Sequence, residues 1–87
     1  MAKYEAYLQQ HRERHLQELA DFLRIPSISA LPEHAGDVRR AAEWAAAGLR
    51  AIGVPHVEIL ETASHPSVYG EWMVDESLPT YLIYGHV

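Results

Sequence analysis

The chain has 87 residues and no cysteine, with seven basic and twelve acidic side chains that give a net charge of −5 when the histidines are neutral. These values exclude a disulfide scaffold and a cysteine-based zinc ribbon, and the scattered basic residues argue against a nucleic-acid-binding surface. Because no run approaches the ~20 apolar residues of a membrane span and the charged N-terminus lacks a signal-peptide core, we predict a soluble, cytoplasmic chain with no nucleic-acid or membrane partner.

The first predicted element is a long amphipathic helix. From Tyr4 to about Arg24, aromatic and apolar residues recur at intervals of three and four, with charged residues between them. Pro26 ends the helix, because proline lacks an amide hydrogen and disfavours helical geometry in the residue before it. Residues 26–32 are then a connector.

A second periodic run predicts a second helix. Its alanines favour helix and allow a neighbouring backbone to approach closely. Gly53 is the expected C-terminal cap, and Pro55 prevents the helix from continuing. The residues expected to form its packed stripe are Val38, Ala41, Ala42, Ala45, Leu49 and Ile52.

The second half of the sequence changes to a strand pattern. Partial alternation and β-branched or aromatic residues predict strands at 56–61, 67–74 and 80–84, with turns at 62–66 and 75–79. The last strand is apolar on both faces and is expected to be the most buried. Two N-terminal helices followed by three strands predict an α/β fold, in an incomplete form.

Four of the six histidines are expected to have structural or surface roles. His11 and His15 are four residues apart and could chelate a metal on one helical face. The zincin motif requires glutamate directly after the first histidine, where this chain has Arg12. The pair also falls in the apolar stripe, so packed interfacial histidines are the simpler interpretation. His34 and His56 are isolated, and we interpret them as surface residues.

The other two histidines are the candidates for a functional site. His65 precedes Pro66 in a predicted turn, where the imidazole either faces water or has a functional role. His86 follows Gly85 at the end of the apolar strand. Ligands of open α/β sheets bind just outside the carboxyl ends of the strands, so His86 could bind a metal there. An ordinary loop histidine remains the alternative, since the spacing supplies no second ligand.

Two motifs carry a resemblance to a known family. The stretches HPSVYGEW (residues 65–72) and PTYLIYGH (residues 79–86) resemble the amino-terminal part of the dinuclear zinc exopeptidases and amidohydrolases. This family includes aminoacylase-1, carnosinase, succinyl-diaminopimelate desuccinylase and carboxypeptidase G. FLRIPSIS (residues 22–29) resembles the element after its first helix, and AAEW (residues 41–44) the start of its second. The resemblance covers essentially the whole chain, and residues 65–72 are similar to the dipeptidase-like branch.

The resemblance implies a zinc-dependent hydrolase. It implies an α/β/α catalytic domain with a mixed sheet, in which two zinc ions activate water to hydrolyse a peptide or amide bond near a free carboxylate. His86 matches a ligand of one zinc ion. In the family, an aspartate follows two positions after this histidine, which would be position 88 here. Val87 stands where the dipeptidase-like branch usually has tyrosine.

The other ligands and the catalytic base lie further along a family chain. We therefore expect the 87 residues to be an N-terminal portion of a metallopeptidase catalytic domain, truncated and inactive alone, from a parent that acts on a small peptide or acyl-amino acid. No catalytic residue is assigned within this chain. Self-association of the fragment, or a homodimer of the parent, is expected. The alternative is a non-catalytic α/β binding or complementation module that retains the scaffold.

Overall fold

The computed structural model describes residues 2–87 as three helices and a two-stranded sheet. A 3-10 turn at Pro32–His34 leads into the third helix. The fold is therefore mixed α/β, as the sequence predicts. The elements are α1 (Lys3–Gln10), α2 (Arg12–Leu23), α3 (Ala35–Ala51), β1 (His56–Leu60) and β2 (Ser67–Glu71).

The long helix predicted for residues 4–24 is divided in two at His11. The backbone of His11 leaves helical geometry, with φ −106° and ψ 15°. Its amide still donates to the Tyr7 carbonyl at 3.0 Å, and its own carbonyl accepts from the His15 amide at 3.0 Å. The interruption is therefore local. Helix α2 ends at Leu23, before Pro26, and this confirms the predicted stop.

The stripe of α1 and α2 is not packed, which corrects the sequence-based expectation. Neither helix has a buried residue among those described. Phe22 contacts the ring of Trp44 on α3, with ring centroids 5.1 Å apart. The stripe is amphipathic, but an amphipathic face is buried only where another element covers it. The large apolar side chains left exposed are Tyr4, Tyr7, Leu8, Leu16, Leu19 and Leu23.

The core lies between α3 and the sheet. Its fully buried members are small, since Ala41, Ala42 and Ala46 expose at most 1% of their surface and Val38 exposes 7%. Besides Val38, four members of the predicted stripe are at least half-buried, namely Ala41, Ala42, Ala45 and Leu49. Ile52 is 69% exposed, so the stripe stops one turn earlier than predicted.

The end of α3 confirms the predicted glycine cap. Gly53 has φ +93°, in the left-handed region that favours glycine. The amide of Val54 donates to the Leu49 carbonyl at 3.1 Å, which completes the cap. The chain then turns directly into β1, so the cap sets the angle at which the sheet meets α3.

Strands β1 and β2 form an antiparallel hairpin. Leu60 pairs with Ser67 nearest the loop, and His56 pairs with Glu71 at the far end. Gly70 lies against α3, because a Cβ atom there would be 3.1 Å from Cδ1 of Leu49. The hairpin therefore packs closely on α3 through one of its faces.

The predicted third strand is wrong. Residues 80–84 belong to no sheet of the described chain, and β2 stops at Glu71 rather than at residue 74. The exposed fractions of Tyr81, Leu82, Ile83 and Tyr84 are 84, 91, 93 and 80%, so the segment expected to be most buried is the most exposed. A strand requires a partner for its backbone groups, and no described strand pairs with this one. Within residues 2–87, no helix is long and apolar enough to cross a membrane.

Candidate functional site

His65 is held by a network of hydrogen bonds in the hairpin loop. Thr62 Oγ1 donates to the His65 carbonyl at 2.6 Å and accepts from the Ser64 amide at 3.0 Å. The ring atom Nε2 of His65 lies 3.0 Å from the carbonyl oxygen of Ser29 in the connector between α2 and α3. The loop is thus fastened to a segment 36 residues away.

This contact determines which ring nitrogen of His65 carries the proton. A backbone carbonyl can only accept a hydrogen bond, so Nε2 must donate and therefore carries the hydrogen. In the neutral imidazole, Nδ1 is then the nitrogen with a free lone pair. A histidine that binds a metal ion through one ring nitrogen usually donates its other N–H to a partner such as a backbone carbonyl, and this hydrogen bond fixes the tautomer.

His86 lies in the C-terminal segment, which has no regular secondary structure after residue 80. Its Nε2 is 3.1 Å from the hydroxyl oxygen of Tyr84, and the two rings meet edge to face with centroids 5.1 Å apart. Both side chains are exposed. A metal ion bound at Nε2 would have to displace the tyrosine hydroxyl, whereas Nδ1 has no protein partner in the described chain.

The structure brings His65 and His86 to one open cleft. The cleft lies between the hairpin loop and the C-terminal segment, with the connector and the start of α3 behind it. Two of the histidines singled out from the sequence are therefore neighbours in the fold. The lining residues are Ser29, Val38, His65, Pro66, Ser67, Val68, Tyr84, Gly85, His86 and Val87.

The cleft residues do not by themselves form a zinc site. No aspartate or glutamate side chain of the described residues lines the cleft. Among residues 2–87, no group of three or more histidine, aspartate or glutamate side chains is close enough to hold a metal ion. A catalytic zinc ion requires three protein ligands and an open position. His86 would therefore need ligands that this chain does not supply.

The remaining histidines lie away from this cleft. His11 and His15 form an aromatic cluster with Tyr7, whose ring centroid is 4.3 Å from that of His11. Arg14 Nη2 donates to the Tyr7 hydroxyl at 2.8 Å and lies 3.3 Å from Nε2 of His15. The guanidinium cation of Arg14 therefore already lies next to the histidine pair. The pair is partly covered by this cluster and not by the core.

His34 and His56 each have an acidic partner. His34 Nδ1 is 2.9 Å from Asp37 Oδ2 at the start of α3, where both side chains are half-buried. His56 Nε2 is 2.7 Å from Glu58 Oε2 on the exposed face of the hairpin. The surface assignment fits His56, whereas His34 is more buried than the sequence suggests.

The link between His65 and Ser29 could not be found from the sequence. The accepting atom is a main-chain carbonyl, which every residue has, so neither residue type nor spacing marks it. Comparison with known proteins adds no family assignment: no protein-family model matches the chain, and no solved structure matches it significantly. The family resemblance therefore depends on the sequence motifs alone.

Proposed function

We propose that the chain supplies the first zinc-ligating segment of a zinc-dependent dipeptidase or acyl-amino-acid amidohydrolase, with His86 as the ligand. The single observation that carries the proposal is the position of His86, directly after the uncharged residues 80–85, at a cleft shared with a second, tautomer-fixed histidine. The resemblance of residues 65–72 and 79–86 to the zinc exopeptidases supports the same assignment.

The geometry of the cleft is compatible with this role. His86 is exposed at the rim, where a side chain can bind a metal ion without disturbing the core. His65, which also lines the cleft, is held by the Ser29 carbonyl. No acidic side chain of the described residues lines the cleft, so carboxylate ligands and a general base would come from elsewhere.

The substrate class follows from the same resemblance. We infer a small peptide or acyl-amino acid whose scissile amide lies near a free carboxylate. Two zinc ions, when bound, would polarise the carbonyl group and lower the pKa of a bound water molecule. The chain's own contribution is one ligand and one wall of the cleft.

The test compares the protein as produced by its source with two histidine variants. In H86A, we expect both the zinc content and the hydrolysis of dipeptides and acyl-amino acids to be lost, while circular dichroism is unchanged. The control H56A removes another exposed imidazole, from the exposed face of the hairpin, and should retain both. Normal zinc content and hydrolysis in H86A would refute the assignment.

A second candidate is a non-catalytic module that works by binding or complementing another polypeptide. The almost complete exposure of Tyr81, Leu82, Ile83 and Tyr84 favours it, because such a surface is rarely left uncovered. Protein purified from its source would then contain no zinc and show no chelator-sensitive hydrolysis, whether or not His86 is replaced. Zinc content of the wild-type protein therefore separates the two candidates.

A further inference from the structure

Two cavities, of about 330 and 420 Å³, are lined by β2 and the C-terminal segment. One is lined by residues 69–75 and 78–82, and the other by residues 65–68 and 84–87 together with Ser29 and Val38. The two linings together include all of β2 and residues 78–87 except Ile83, so we treat them as one groove between β2 and the C-terminal segment.

Both walls present backbone groups without partners. Strand β2 pairs only with β1 in the described sheet, so the edge that faces the groove is free. Residues 79–87 take part in no backbone–backbone hydrogen bond within the described chain. An unpaired strand edge is a template for a further strand.

We propose that this groove is the interface of a two-fold symmetric dimer, in which residues 80–84 of each copy pair with β2 of the other. Each copy has one free strand edge and one segment without backbone partners, so a reciprocal exchange satisfies both at once and closes the assembly. The two elements match in length, because Ser67–Glu71 and residues 80–84 each contain five residues.

The charge distribution permits this contact despite the net charge of −5. Residues 77–85 contain no charged side chain, so pairing brings no like charges together along the donated segment. Glu71, at the end of β2, already accepts a hydrogen bond from Tyr69 at 2.8 Å and stays at the rim of the groove.

The exposed area is sufficient for a dimer. Tyr81, Leu82, Ile83 and Tyr84 are 80–93% exposed. If each offers on the order of 150 Å², four side chains present roughly 600 Å² per copy. Burial in both copies reaches roughly 1,200 Å² before the groove walls are counted, which is the lower end of stable protein–protein interfaces. The proposal does not depend on the zinc site.

The first experiment measures the mass of the 87-residue chain by analytical ultracentrifugation across a dilution series. We expect a monomer–dimer equilibrium in the wild type. I83K places a charge in the donated segment and should weaken dimerisation by about tenfold or more. I52K makes the same change at a residue that is 69% exposed at the end of α3, outside the groove, and should leave the equilibrium unchanged.

The second experiment uses the absence of native cysteine to detect the contact directly. Y69C is mixed with L82C or with I83C, two adjacent positions whose side chains point to opposite faces of a strand. Under mild oxidation, one of the two mixtures should form a disulfide between the different variants in preference to disulfides between like copies. G36C at the exposed start of α3, mixed with Y69C, is the control that should not cross-link.

Several results would overturn the proposal. A monomer at every concentration would do so, even if hydrogen exchange showed protection at residues 81–84, because protection in a monomer would mean that the chain covers the segment itself. Equal weakening by I83K and I52K would show that association is non-specific. Cross-linking no stronger than with G36C would place the interface elsewhere.

Discussion

The same substitution at two glycines five positions apart should have opposite effects on stability. Gly48 lies inside α3 with nothing within 4 Å of an added Cβ atom. Gly53 has φ +93°, and its added Cβ would be 3.9 Å from the Trp72 ring, an ordinary contact. Space is therefore available at both sites, and only the backbone conformation differs.

The expected magnitudes follow from that difference. In G48A, alanine restricts the unfolded chain and favours helix, which should stabilise the fold by about 0.5–1 kcal/mol. In G53A, the side chain must occupy the left-handed region, which should cost about 1–2 kcal/mol. The two variants should differ by roughly 2 kcal/mol, or about 10 °C in Tm for a chain of this size.

The assay is urea and thermal unfolding followed by far-ultraviolet circular dichroism, at a protein concentration held constant across variants. Both variants should keep the wild-type spectrum at low temperature. Shifts of the same sign, or a G53A variant as stable as the wild type, would refute the argument from backbone conformation. A G48A variant without any gain would show that α3 ends before residue 48 in solution.

Three further predictions test the core, the turn and the hairpin loop. A46L overfills the alanine core and should lower the free energy of unfolding in urea by about 1–3 kcal/mol. A47L, at an exposed position of the same helix, should change it by no more than about 0.5 kcal/mol. Equal effects would contradict the core assignment. Hydrogen bonds from the backbone amide and hydroxyl of Ser77 lower the pKa of Asp75. The stabilisation of the turn is therefore present above the ordinary aspartate pKa and is lost as pH falls through the lower folded value. An NMR titration of S77A should show the pKa of Asp75 moving back up, and an unchanged midpoint would exclude the hydroxyl as a cause. H65A removes the bond to the Ser29 carbonyl and should accelerate hydrogen exchange at residues 62–65 with little change in Tm. Unchanged exchange would show that the loop is held without the imidazole.

The sequence predicted those features that depend on local backbone chemistry. Pro26 ends the second helix, and Gly53 caps the third, because these residues restrict or permit particular backbone angles whatever surrounds them. The hairpin from residue 56 was also predictable, since alternation and a turn of polar residues lie close together in the chain.

Features that depend on a distant partner were not predictable in the same way. The run at 80–84 is apolar enough for a buried strand, but composition indicates which environment a segment prefers and not whether another strand is present to provide it. The prediction that the apolar stripe of α1 and α2 is packed was wrong for the same reason. At the candidate site, the motif pointed to His86, whereas the approach of His65 required knowledge of how the hairpin loop meets the connector.

The open face of α1 and α2 affects how cooperatively the protein unfolds. All buried side chains of the described residues lie on α3, which packs against the hairpin, whereas α1 and α2 bury none. Unfolding α1 would therefore expose little additional apolar surface and carry a small heat-capacity change of its own. Helix α3 and the hairpin therefore form one cooperative unit, whereas α1 and α2 fray at a far lower free energy.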